Sequence, residues 1–239
     1  MKTLYIFPHP DDESFGSAPV MYRQTQHNEE VHLLTFTKGG ASKMRFKLDL
    51  SIEEMGKVRY TEMLAVEKVL ALTSMTVYDF PDGGMAHADP REYEKVVKKH
   101  IDLIRPDIIV TYPIHGISGH HDHLACHGVV KRLFCELRDK SEYTYLKRLA
   151  FITLTKREED DQKGINVDLK TSDKEDIDCI LTLTDQEIKK LKESLYCYKS
   201  FLEVIQETNI INHIGTKIHF EFFDESFSEP VSELSSGIE

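Results

Sequence analysis

The 239-residue chain has no tryptophan, and its four cysteines, Cys126, Cys135, Cys179 and Cys197, form no C-x-x-C pair. That spacing argues against a zinc knuckle and a disulfide framework, and scattered reduced thiols suit the cytosol. No apolar run approaches the roughly 18 residues needed to span a bilayer, and no basic region leads into a long apolar stretch at the N-terminus, so a soluble cytoplasmic protein is expected. Positive charge is also short. Thirty Lys and Arg against 41 Asp and Glu leave a formal net charge of −11, which disfavours nucleic acid and anionic membranes as partners. No G-x-G-x-x-G follows the first apolar run, which counts against a dinucleotide enzyme. Lys38-Gly39-Gly40 lacks the Gly-x-x-x-x-Gly-Lys spacing of a phosphate loop.

What is present is enough for one core. Apolar residues make up 40% of the chain, and a single α/β domain over residues 1–223 is expected, followed by an acidic, Ser-rich tail over 224–239 that frays. KTLYIF, VHLLTFT, MTVYDF, DIIVTY and LAFITLT read as strands. Between them, helical periodicity runs over Phe15 to Gln26, Ser51 to Leu72, Pro90 to Ile104 and His123 to Leu137. This β-α alternation predicts a mostly parallel β-sheet flanked by helices with right-handed crossovers. Lys156 to Asp178 reads as a long loop, Asp185 to about Gln206 as one more helix, and KIHFEFF as a last β-like run.

In such a sheet, ligands bind beyond the carboxyl ends of the strands. Three polar segments follow strands here: Pro8-His9-Pro10-Asp11-Asp12-Glu13, Pro81-Asp82-Gly83-Gly84, and PIHGISGHHDHLACH, which holds His115, His120, His121, His123 and His127. Their placement predicts convergence on one edge. His9, Asp12 and His123 form a two-histidine, one-carboxylate set, which with water is a catalytic zinc arrangement. Asp11 and Asp12 could each merely cap a helix. Capping needs one carboxylate, however, and a second beside it would repel the first without a cation nearby. Neighbouring side chains cannot both face one ion alike, so one of the pair is expected to ligate and the other to reach the water.

PHPDDE, TKGG, the Arg59-x-x-Glu62 helix, FPDGG and RPDIIVTYPIHGISGHHDH, in that order, resemble the LmbE/PIG-L family of zinc-dependent de-N-acetylases. The resemblance runs from about residue 2 to residue 130 and weakly includes Lys192 to Ser200. It implies a Rossmann-like, LmbE-like fold and removal of an N-acetyl group from an N-acetylglucosamine-type conjugate, of the bacillithiol, mycothiol or glycosylphosphatidylinositol kind, by a zinc-bound water. It matches His9, Asp12 and His123 to the metal ligands and Asp11 to the general base. His120 matches the residue that stabilises the oxyanion or assists the leaving amine, and Asp122 the one that orients and charges it. Zinc, one ion per chain, is the implied cofactor, and iron fits the same ligands. The implied partner is a small amino-sugar conjugate, and homo-oligomers are compatible with the sequence.

Two positions depart from the family pattern. His121 stands where proline is usual and is expected to point away from the pocket. Tyr198-Lys199-Ser200-Phe201 replaces a His-x-Ser-Gln element. His127, one turn after His123, is expected to be packed rather than ligating. Arg59 and Asp82 read equally as a surface ion pair member and a turn residue, or, by the family match, as substrate contacts. Two other readings share these residues: an amidase acting on another amide, such as a thiol conjugate or antibiotic intermediate, and a metal-dependent sugar-binding protein without turnover. Asp11 and His120 argue against the latter, because a pure binding site needs no base.

Overall fold

The computed structural model describes residues 1–156, 169–207 and 215–238. In chain order the elements are β1 (Lys2–Phe7), α1 (Ala18–Gln26), β2 (Glu30–Thr35), the one-turn α2 (Met44–Lys47), α3 (Ile52–Leu70), β3 (Ser74–Val77), α4 (Pro90–Ile104), β4 (Ile108–Thr111) and α5 (His121–Leu137). The second half adds β5 (Arg148–Thr153), β6 (Cys179–Thr182), α6 (Asp185–Leu195), α7 (Leu202–Glu207) and β7 (Lys217–Phe222). Local chemistry sets the helix starts. Ser51 and Glu54 exchange side-chain and backbone hydrogen bonds to open α3, and Thr184 and Glu187 do the same for α6; each such box satisfies two otherwise orphaned N–H groups. Asp89 caps α4 ahead of Pro90, whose missing N–H costs nothing in the first turn.

One seven-stranded sheet has the order β3-β2-β1-β4-β5-β7-β6. Strands β1 to β5 are parallel, and β7 runs antiparallel to both β5 and β6. Side chains alternate across the pleat, so β1 feeds two cores. Tyr5 and Phe7 pack with Met63, Val66, Leu191 and Leu195 on one face, while Leu4 and Ile6 pack with Val97, Ile101, Val130 and Leu133 on the other. The connection after β1 leads outward to β2, and the one after β4 leads the opposite way to β5. The crevice between the carboxyl ends of β1 and β4 is therefore the topological switch point where ligands bind in open α/β sheets.

The second half differs from expectation in three places. Strand β6 lies in CILT, a run too short to stand out from its polar surroundings. The helix expected over Asp185 to Gln206 breaks after Leu195 and resumes through a 3-10 turn, Lys199–Phe201, into α7. The segment after residue 223, expected to fray, is docked: Val231 bridges Cys179, and Leu234 is 3% exposed. Its apolar residues are too sparse to read as a core segment, and the partner that holds them is Arg148, 1% exposed at the start of β5. Arg148 binds both oxygens of Glu225 at 2.8 and 2.6 Å and donates to the carbonyls of Leu234 and Ser236. Most of the expected Lys156–Asp178 loop lies outside the described residues, which include no helix long and apolar enough to cross a membrane.

Arg148→Met keeps the aliphatic bulk but leaves the Glu225 carboxylate and two carbonyls without their donor. It should lower unfolding free energy by about 2–4 kcal/mol and expose the C-terminal segment to protease. Urea denaturation and limited proteolysis check this; an unchanged midpoint with a protected segment would mean that Val231 and Leu234 suffice.

Candidate active site

The chain leaves β1 through Pro8-His9-Pro10 and turns at Asp11, whose φ of +81° is in the left-handed region. A non-glycine residue held there costs of order 1–3 kcal/mol. The consequence is that two consecutive carboxylates diverge. The Asp12 carboxylate turns toward β4: Oδ2 accepts the His9 backbone N–H at 2.8 Å, and Oδ1 accepts the Tyr112 hydroxyl at 2.7 Å. The same two oxygens lie 3.5 Å from His9 Nδ1 and 3.3 Å from His123 Nε2. Asp11 turns toward α3, where Arg59 Nη2 donates to its Oδ2 at 2.5 Å and to the Pro10 carbonyl at 2.8 Å. Gly39 lies against this pair at φ +66°, and a Cβ there would meet Pro10 at 2.9 Å and Arg59 Nη1 at 3.1 Å.

Three imidazoles face one another across the crevice, with ring centroids 4.8 to 5.4 Å apart for His9, His120 and His123. Their outer nitrogens are engaged. His123 Nδ1 meets the Gly116 carbonyl at 2.9 Å, and its ring stacks on Tyr112 at 4.1 Å, so Nε2 is the atom presented to Asp12. His9 Nε2 lies 3.0 Å from Asp122 Oδ2 and 3.3 Å from Asp82 Oδ1, so Nδ1 is presented inward. His120 caps α5, its Nδ1 accepting the Asp122 backbone N–H at 3.2 Å. That bond requires Nδ1 to carry a lone pair, so the ring proton sits on Nε2.

Asp122, expected to orient and charge His120, hydrogen-bonds that residue only through its backbone N–H, while its charge still favours the protonated His120 ring. Its fully buried carboxylate binds His9 and also accepts the Gly83 N–H at 2.8 Å and the Met85 N–H at 3.0 Å. At the start of a helix the side chain of the second residue points back over the preceding turn, here toward His9 and the loop after β3.

These contacts separate the two carboxylates electrostatically. Burial alone would raise Asp12, but the charge of His123 and its bonds to both histidines outweigh that and hold it far below the ordinary range. Burial prevails for Asp11, which rises to about 6 even with Arg59 pulling it down. Burial also lifts Glu13 to about 7 against its bonds from Ser14 and Tyr198. His9 is driven the other way: burial favours the neutral ring, yet bonds to Asp12 and Asp122 and the charges of Asp12 and Asp82 raise it to about 10. His120 is lowered by burial and by the neighbouring His9 and His123.

Three carboxylates around one imidazole make a pocket that favours a cation, and a metal ion entering it would displace the proton. The donor types suit a divalent ion: the Asp12 oxygens lie near His9 Nδ1 and His123 Nε2, while Asp122 and the Gly116 carbonyl meet the other ring nitrogens, a pattern that fixes imidazole tautomers. Among the described residues two triplets bring donor atoms within 4.8 Å of one another, His9 with His120 and His123, and His9 with Asp82 and Asp122; the expected set of His9, Asp12 and His123 is not one of them.

Other expectations fare differently. Arg59, 4% exposed, is engaged with Asp11 rather than turned outward. Asp82 Oδ2 accepts the Ala41 N–H at 2.8 Å and so ties the loops after β2 and β3 together. His121 is exposed, and His127 is buried on the Tyr112 carbonyl and Phe151. Lys38 pairs with Asp79. Sequence reasoning missed Tyr112, the last residue of the DIIVTY run, because period-two alternation does not say that a strand-end hydroxyl reaches the next strand's loop. It also missed the contacts of Glu13, Tyr198 and Ser200, for which nothing local gives a signal.

Residues 4–134 match the family described as PIG-L, GlcNAc-PI de-N-acetylase. A "Probable N-acetylglucosaminyl-phosphatidylinositol de-N-acetylase" of Schizosaccharomyces pombe is 29% identical over 130 residues, 52% of this chain and 48% of that protein. A 1D-myo-inositol 2-acetamido-2-deoxy-alpha-D-glucopyranoside deacetylase of Thermomonospora curvata is 27% identical over 152 residues, 55% of this chain and 51% of that one. The matches thus span about half the length of these curated relatives. The zinc-inhibited form of a teicoplanin deacetylase has a TM-score of 0.72 at 14% identity over 95% of this chain and 100% of its own, a likeness of fold alone.

His9→Ala and His123→Ala should each lose most bound divalent metal, and His121→Ala should keep it, by elemental analysis after dialysis. Retention in the first two with loss in the third would overturn the ligand set.

Proposed function

The chain belongs to the PIG-L family, GlcNAc-PI de-N-acetylase, and on that premise we propose that it hydrolyses the acetamide of an N-acetylglucosamine-type conjugate to acetate and a free amine. The observation that carries the proposal is the divergence at Asp11: one carboxylate of the pair joins the two histidines, and the other stands beside them, ion-paired to Arg59. A binding protein has no use for the second. Two imidazoles and one carboxylate are a catalytic zinc donor set, and ferrous iron accepts the same donors. Held by His9, Asp12 and His123, such an ion would supply Lewis-acid polarisation of the acetamide carbonyl and an acidified water.

The protein's own groups do the remaining work. Asp11, with one oxygen fixed by Arg59, takes the proton of the attacking water; a base of pKa about 6 is deprotonated at neutral pH yet still a competent acceptor. His120 donates its Nε2–H to the oxygen that becomes negative in the tetrahedral intermediate. Because Nδ1 is occupied as an acceptor, the neutral ring has no second proton to give. The proton that the departing amine needs as the C–N bond breaks therefore returns from Asp11. Asp82, whose oxygens face His9 Nε2 and the Ala41 N–H, is the proposed contact for a sugar hydroxyl. The four cysteines are free thiols, which supports the cytoplasm as compartment.

Asp11→Asn should retain metal while turnover, read as free amine released from N-acetylglucosamine conjugates, falls by roughly 10²–10⁴-fold. Asp12→Asn should lose both. In the wild type, kcat/KM should fall as pH drops through about 6, or lower with a dication bound, because the base must be ionised. Arg59→Gln removes the cation that favours the carboxylate, so that limb should move to higher pH. A limb that stays in place in Arg59→Gln and persists in Asp11→Asn would exclude Asp11 as the base.

A further inference from the structure

The broken helix after α6 lies outside the residues matched to the family, yet it reaches the base. Its backbone is pinned by Ser200, whose N–H and hydroxyl both donate to the Glu62 carboxylate at 2.6 and 2.8 Å. Glu62 lies one turn along α3 from Arg59, on the same face, so the clamp sets the broken segment against the arginine. Phe201 places its ring centroid 4.8 Å from Arg59 Cζ, and the fully buried ring of Tyr198 lies at 5.8 Å. The Tyr198 hydroxyl donates to Glu13 Oε1 at 2.7 Å, which ties the same segment to the turn that follows Asp12.

Arg59 is secured unevenly. Nη2 donates to Asp11 and to Pro10, while the buried Nε has no hydrogen-bond partner among the described residues. What keeps the guanidinium from rotating about those two bonds is contact with the aromatic rings, which attract a cation most strongly where water is excluded.

We infer that Tyr198 and Phe201 are positioning residues for the base: their rings hold Arg59, and Arg59 holds Asp11. The inference rests on the reading of Asp11 as base. It gives the C-terminal half a part in the chemistry without touching substrate, and the tetrapeptide Tyr198-Lys199-Ser200-Phe201 becomes a mount for the arginine. Misplacing a catalytic group by an ångström is sufficient to slow turnover severely.

The test uses the full chain with 15N-labelled arginine. Solvent exchange of the Arg59 Nε–H is followed by NMR in the wild type, Phe201→Leu, Tyr198→Leu and Tyr198→Phe. Phe201→Leu is the milder change if Tyr198→Leu fails to fold. Exchange should accelerate by about tenfold or more in the two leucine variants. Their kcat on methyl N-acetylglucosaminide should fall by roughly ten- to a hundredfold with KM nearly unchanged, and Tyr198→Phe, which keeps the ring, should restore both. Unchanged Arg59 exchange in a folded leucine variant overturns the inference, as does a loss confined to KM. If the wild type releases no amine, the deacetylase reading fails, while the exchange measurement still decides whether the rings hold Arg59.

Discussion

Four carboxylates, those of Asp11, Asp12, Asp82 and Asp122, gather in one crevice of a protein that is already strongly acidic, and most of the surrounding structure serves to make that arrangement tolerable. Buried carboxylates this close in one crevice raise one another's pKa and take up protons unless cations are interleaved. His9 meets three of the four, His123 faces Asp12, and Arg59 holds Asp11. Backbone N–H groups of His9, Gly83, Met85 and Ala41 complete the hydrogen bonding. The sheet supplies the place where this is affordable, at the carboxyl ends of β1 and β4, where diverging connections leave a crevice.

The same interleaving separates the two carboxylates in the direction that the proposed roles require. Asp12, held ionised by two histidines, has the electrostatics of a ligand, and Asp11, lifted toward neutrality by burial, has those of a proton acceptor. The left-handed turn at Asp11 accompanies this division, with one carboxylate on Arg59 and the other between His9 and His123. His120 is divided in the same spirit: by capping α5 with Nδ1 it leaves Nε2–H as a fixed donor, so a helix-start requirement sets the tautomer.

The second half of the chain is bound to this site by buried polar contacts rather than by motif, Glu62 with Ser200 and Glu13 with Tyr198; away from the site, Arg148 ties the C-terminal segment to β5 in the same long-range way. Each removes a charged or polar group from water and satisfies it with a partner distant in sequence, which is costly to break once formed. The residues around Tyr198 therefore replace one set of side chains by another at a place where the fold requires contact.

Legible in the linear sequence are the β-α alternation, helix starts near Ser51, Pro90 and Asp185, and the grouping of His9, Asp11, Asp12, His120 and His123 after strands. These follow from interactions within a few residues: periodicity, capping and the rule that polar segments after parallel strands face one edge. Tertiary structure alone decided the rest. The short β6 depends on its pairing with β7, and the docking of the C-terminal segment involves a buried arginine supplied from β5, so no local pattern marks them. The break after α6 depends on Glu62 of a helix more than a hundred positions earlier. Asp122 turned to His9 instead of His120 because the direction of a side chain at a helix start is set by the turn before it and by what the next loop brings into reach. Which atom meets which is a matter of orientation, and orientation exists only once the layers have packed.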